Sequence, residues 1–223
     1  MKKLLIICIT AVLVLSMSVS AFAAGGFVSS PSGNTAPGLV EGSNSSPECN
    51  SPLQITAYGD RSDLPEDTRK KIEEAYTMIA GAKDLSVLNS GINDLAKALG
   101  INVSDLAVSD LFDISAGDCD GNHADHGHFD ITLKSDYLKN FVCLLHYYNG
   151  EWRIVKDAKV TNNGEHLEFD EKEFSPFAIV VATTDIPDAP KSSAGLVIGI
   201  VAGVVVVAGA AVAAVYYFKK KKI

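Results

Sequence analysis

Phe141-Val-Cys-Leu-Leu-His-Tyr-Tyr-Asn-Gly-Glu-Trp-Arg-Ile-Val155 decides the fold class. Phe141 to Tyr148 is apolar at consecutive positions, the pattern of a strand covered on both faces. Asn149-Gly150 supplies the two residues that tolerate positive φ in a tight hairpin, and Glu151 to Val155 provides the return strand. Working outward, Phe129, Ile131 and Leu133 alternate with Asp130, Thr132 and Lys134, the period of a half-buried strand. Leu106 and Val108 open an earlier strand that runs towards Phe112 and Ile114. Downstream, Asn162-Asn163-Gly164 is a second turn ahead of Leu167 and Phe169, and Phe177 to Ala182 closes the series, with Pro176 suited to a strand start. Six or seven short strands at this spacing predict an antiparallel β-sandwich of immunoglobulin-like type, without the Cys-Trp-Cys spacing of true immunoglobulin domains.

Two helical stretches precede these strands, so the expected class is α+β, with short amphipathic helices packed on the sandwich. Ser62 or Asp63 can cap a helix with Pro65 in its first turn and Glu66 and Asp67 at its positive dipole end. Ile72, Tyr76 and Ile79 then share one face, and Gly81 is the stop. The second helix carries Ile92, Leu95, Ala96 and Leu99 on one side and ends at Gly100. Leu53, Ile55 and Ala57 alternate as a short strand, and ordered structure is expected to begin there. Residues 25–52, rich in Gly, Ser, Pro and Asn, read as a flexible leader. The extracellular helix-plus-sandwich domain is thus expected over 53–184.

The two ends place the protein. Lys2 and Lys3, an apolar run from Leu4 and the Ala21-x-Ala23 ending make residues 1–24 a secretory signal peptide, removed after Ala23 or Ala24. Ala194 to Phe218 contains no charged residue, and as a helix those 25 residues reach about 37 Å, enough to cross a hydrocarbon core. Tyr216, Tyr217 and Phe218 form the interfacial belt, and Lys219 to Lys222 put the tail, residues 219–223, in the cytoplasm. Residues 185–193 are the stalk. The location read from this is the cell membrane, single-pass, with the N-terminal domain outside and membrane lipid as a partner of the helix. Gly195, Gly199 and Gly203 form overlapping GxxxG patterns through which two copies could pack as a homodimer.

This division accounts for the composition. Of 223 residues, 47% are hydrophobic and 21% charged, with a formal net charge of -8. The mean hydropathy of +0.17 comes from the two apolar ends. All 27 acidic residues fall in the exported part, against thirteen basic ones, leaving it at -14. A surface of that sign excludes nucleic acid and anionic lipid as ligands of the exported domain.

Asp110-Leu-Phe-Asp-Ile-Ser115, Phe141 to Val155 and Phe174-Ser-Pro-Phe-Ala-Ile-Val-Val181 resemble modules in surface proteins of Gram-positive gut bacteria of the clostridial kind. The resemblance spans about Leu53 to Thr184 and implies a location rather than an activity. Ile186-Pro-Asp-Ala-Pro190 stands where a sorting signal would lie, but Ala-Pro replaces the Thr-Gly bond that a sortase attacks. The proline imide and the missing hydroxyl favour a retained membrane helix over covalent wall attachment.

One segment is dense in ligand-type side chains. Cys119, His123, His126 and His128, with Asp118, Asp120 and Asp125, lie in the loop 118–128 between two strands. Cys and His suit zinc or copper and the carboxylates suit calcium, but the spacing matches neither a standard zinc site nor an EF-hand. A polar loop is the simpler reading. A Cys49–Cys119 disulfide would compete for the same thiol, whereas Cys143 reads as a buried free thiol. His146 and His166 fall in strands and read as ordinary. No nucleophile elbow, HExxH, P-loop or Rossmann glycine pattern occurs. The expected function is therefore a non-enzymatic surface protein displaying its module for structural or adhesive contact with a protein or glycan. The alternative is an extracellular metal-binding protein that uses the His-rich loop.

Overall fold

The computed structural model describes residues 26–28, 36–44, 52–116, 129–184 and 186. Nine strands are present among these: β1 (Gly38–Asn44), β2 (Gln54–Ala57), β3 (Leu106–Ser115), β4 (Phe129–Lys134), β5 (Phe141–Tyr148), β6 (Glu151–Ile154), β7 (Lys159–Thr161), β8 (His166–Glu171) and β9 (Phe177–Ala182). Two α-helices, α1 (Glu66–Gly81) and α2 (Gly91–Ala98), lie between β2 and β3. All paired strands are antiparallel and form two sheets, one five-stranded in the order β2-β3-β9-β5-β6 and one four-stranded in the order β1-β4-β8-β7. The α+β expectation holds in this form, as two antiparallel sheets with a few helices.

The quoted stretch behaves as its sequence demands. β5 and β6 pair Tyr148 with Glu151 across Asn149 (φ 52°) and Gly150 (φ 82°), both in the left-handed region that this two-residue turn requires. β5 and β9 are buried along nearly their whole length, because each has a core on either side. Phe112, Ile114, Leu144, Phe177 and Ile179 face Phe129, Ile131, Leu133, Leu167 and Phe169 of the smaller sheet. Val108, Leu111, Leu145, Tyr147 and Val180 lie on the other side, against Ile72, Ala75 and Ile79 of α1 and Ile92 and Leu95 of α2. The molecule is therefore layered as helices, five-stranded sheet, four-stranded sheet. In β3 a bulge between Val108 and Asp110 resets the alternation, so that Val108 and Leu111 both reach the helical side while Phe112 turns to the inter-sheet core.

Two expectations need correction. Residues 25–52 are not uniformly a leader without structure. Phe27 is buried, stacks on Tyr76 with ring centroids 5.4 Å apart, and bridges to Val108 through two backbone hydrogen bonds of 2.7 and 2.9 Å. Gly38–Asn44 pairs along β4 as β1. This pairing is made by backbone groups, and Leu39 and Val40 remain exposed, so no burial period marked the strand. Ser62 and Asp63, in turn, belong to a 3-10 turn, Tyr58–Asp63, and the helix cap is Pro65 with no side-chain bond. The proline forces Leu64 before it into an extended conformation (ψ 150°), which separates the two helical pieces. Glu66 and Asp67 do occupy the first turn, and the helix ends at Gly81. The segments read as signal peptide, stalk and membrane span lie outside the described residues, apart from Ile186. Among the described residues no helix is long and apolar enough to cross a membrane.

Candidate functional site

The outer face of the four-stranded sheet carries a shallow polar cavity of about 310 Å³, lined in part by Asp130, Thr132, Asp157, Lys159, Glu168 and Asp170. Register builds it. Asp130 pairs with Asp170 and Thr132 with Glu168, and Glu168 pairs on its other side with Lys159. Period-two alternation sends these side chains outward while Ile131, Leu133, Leu167 and Phe169 point to the core. Glu168 is held by the Thr161 hydroxyl at 2.7 Å and by Lys159 Nζ at 3.3 Å. The Thr161 hydrogen bond first, and then Lys159, hold its pKa below the usual carboxylate range despite partial desolvation. The turn ahead of β7 is tied to the same rim, since Asp170 N–H donates to Asp157 Oδ2 at 3.0 Å. The lining offers several acceptor oxygens and the Lys159 ammonium, chemistry suited to hydroxyl-bearing or cationic groups.

A second constellation lies where the chain crosses back from β8 to β9. His146 Nε2 and Ser175 Oγ share a hydrogen bond at 2.5 Å, and His146 Nδ1 faces Glu171 Oε2 at 3.2 Å. The order of types matches a nucleophile, base and orienting acid. Its setting does not, because Ser175 and His146 are each only 5% exposed and Ser175 Oγ donates to the Tyr147 carbonyl at 2.5 Å. A hydroxyl committed to a backbone acceptor and closed off from solvent is a fastening. It joins β5 of one sheet to β8 of the other through the crossing segment. Burial raises the pKa of Glu171, but the His146 contact and the backbone N–H groups of Lys172 and Glu173 outweigh it, and the net direction is down. His146, which reads as an ordinary strand residue, is thus the centre of a buried network, with its ring stacked on Phe177 at 4.4 Å. No local pattern in the sequence announces this, since its partners are 25 and 29 positions away.

A third polar group lies under the helices. Thr56 pairs with Asp113, and Tyr147 pairs with Trp152 and donates its N–H to the Pro176 carbonyl at 2.8 Å, so these residues form one row across the five-stranded sheet. Asp113, next to the core-facing Phe112, points to the helical side. Desolvation raises its pKa to about 7, with Lys71 of α1 acting in the opposite sense but not prevailing. Burial first, and then a side-chain hydrogen bond to Glu74 and the charge of that carboxylate, push the Tyr147 phenol up to about 12.

Cys119, His123, His126 and His128 lie outside the described residues, as do Cys49 and Gly195, Gly199 and Gly203. Among the described residues no group of three or more His, Cys, Asp or Glu is arranged to hold a metal ion. Cys143 is free and buried, as its strand position implies. No protein family, curated protein or solved structure matches this chain.

Proposed function

We propose that the chain is a non-enzymatic, single-pass cell-surface protein of Gram-positive type. On this reading it exports an acidic, immunoglobulin-like sandwich for adhesive contact and is retained by the apolar helix of 194–218. The observation that carries the reading is the groove on the outer face of the four-stranded sheet, where Asp130, Thr132, Asp157, Lys159, Glu168 and Asp170 converge on the side of the sandwich opposite the helices. Its density of acceptors fits a hydroxyl-rich glycan or a basic segment of a surface protein. The signal peptide, the uncharged span and the four lysines support the location.

The test is binding of the full chain to glycan and basic-peptide arrays, compared with an Asp130→Asn/Asp170→Asn variant that keeps the shape and removes two charges. The reading expects a ligand whose affinity falls at least about tenfold in the variant, about 1.4 kcal/mol. Equal binding by both chains overturns the assignment of the groove. Fractionation adds a second arm, because release from cells by muramidase alone would show wall attachment and contradict retention by the helix.

A further inference from the structure

Among the described residues, the buried side-chain atoms without a hydrogen-bond partner include Asp113 Oδ1 and Trp152 Nε1, while Tyr147 Oη between them has the Glu74 carboxylate of α1 as its one side-chain partner. They occupy one row of one sheet and all face the same side. Tyr147 and Trp152 belong to the core shared with α1 and α2, and Asp113 alternates onto that side beside Leu111. The inter-sheet core contains none. The buried polar groups of the inter-sheet side, His146 and Ser175, are hydrogen-bonded to one another and to the backbone, whereas the helical side holds buried polar atoms without a partner, each of which weakens it.

We infer that the helical layer of α1 and α2 is a proton-gated cover over the aromatic row of the five-stranded sheet, held down while Asp113 is protonated and loosened when that carboxyl ionises. A neutral carboxyl beneath the helix keeps its own proton as a donor and carries no charge to be solvated. The carboxylate must be hydrated or paired. Lys71 of α1 is the charged group that acts on Asp113, and it does not offset the cost of burial, so the acid ionises only near pH 7. Thr56 on β2 and Pro176 ahead of β9, its neighbours in the row, are uncharged, and Glu74, one turn further along α1, stands against Tyr147 and adds negative charge. Water reaches Asp113 if α1 lifts, and the same movement uncovers Tyr147 and Trp152. The inter-sheet core and the Ser175–His146–Glu171 fastening lie on the other face and do not take part.

The only tryptophan of the chain, Trp152, reports on this cover directly. The full chain is titrated from pH 5.5 to 8.5 while acrylamide quenching of Trp152 and hydrogen exchange of α1 amides are followed, in the native protein and in Asp113→Asn. In the native protein, opening of α1 rises about tenfold per pH unit from pH 5.5 to about pH 7 and levels off above it, beyond the intrinsic pH dependence of exchange, and quenching follows the same course. Amides of β4 and β8 do not follow. In Asp113→Asn both readouts are flat. Quenching that is independent of pH in the native protein, or that rises equally in Asp113→Asn, overturns the proposal. Should the variant not fold, the native chain decides alone: selective opening of α1 upholds the gate, and equal loss of protection in α1, β4 and β8 refutes it.

Discussion

His146 on β5 and Ser175 ahead of β9 are joined side chain to side chain, Nε2 to Oγ at 2.5 Å, across 29 positions of sequence. With Glu171 on the far side of the imidazole, this contact ties the two sheets together at the point where the chain crosses between them. Ser175→Ala leaves two buried acceptor or donor atoms unpaired, His146 Nε2 and the Tyr147 carbonyl. The expected loss is about 1–3 kcal/mol of stability, measured by urea unfolding followed by Trp152 fluorescence. A change within a few tenths of a kcal/mol would show that the fastening contributes nothing.

Two carboxylates set opposite pH limits on the fold. Asp113 has a folded pKa of about 7 against 3.8 for the exposed group, so the folded state holds its proton more tightly and stability falls as pH rises between these values. At about 1.4 kcal/mol per tenfold change in proton affinity, the loss is about 4 kcal/mol by neutral pH. Glu171 has a lowered folded pKa, so its contribution is complete above the ordinary carboxylate range and is lost as pH falls through the folded value. Greatest stability is therefore expected in mildly acidic solution. Asp113→Asn should raise stability at pH 8 and remove the decline from pH 5 to about 7, as seen in urea midpoints.

The N-terminal segment is part of the core. Phe27→Ala removes a buried ring from between Tyr76 and the sheet, and large-to-small changes of this kind cost about 3–5 kcal/mol. Gly26→Ala acts on the same contact by another route. Gly26 has φ 84°, and an added Cβ would stand 2.7 Å from the Ile79 carbonyl oxygen. Thermal melting of both variants should fall, and limited proteolysis near residue 28 should become fast. Unchanged melting would return this segment to the leader.

Cys143 should be chemically silent in the folded chain. Burial with no compensating charge pushes its thiol up to about 12, and the thiolate is the reactive form. Maleimide labelling mapped by mass spectrometry should leave Cys143 unmodified at pH 7.5 and modify it fully in guanidinium. Rapid labelling in the absence of denaturant would show that β5 opens to solvent.

Elements whose evidence is periodic or local were legible. β3, β4, β5, β6, β8 and β9, the Asn149-Gly150 turn, the left-handed turn at Asn162 to Gly164 and the apolar face of α1 follow from spacing and from residues that tolerate positive φ. β1 was not legible, because an edge strand of Gly, Ser and Asn pairs through its backbone and buries little. The candidate groove was legible only as outward-facing residues of separate strands. Asp157, which completes its rim, comes from a turn whose place depends on β7. His146 looked like any strand residue until Glu171 and Ser175 were brought to its two ring nitrogens.

Read alone, the sequence marked most of the strands, the hairpin, the two helices, the acidity of the segment between the two apolar ends and an expected membrane topology. All of these depend on neighbours within a few residues or on bulk hydrophobicity. Only the tertiary structure decided the order of strands in each sheet, the layer on which the helices lie, and the company kept by Asp113, His146 and Trp152. Those relations join residues far apart in sequence, such as Thr56 with Asp113 and Gly38 with Lys134, and they are set by which apolar faces meet. A carboxylate on a strand reads the same whether water or a helix covers it, and its chemistry follows from that cover.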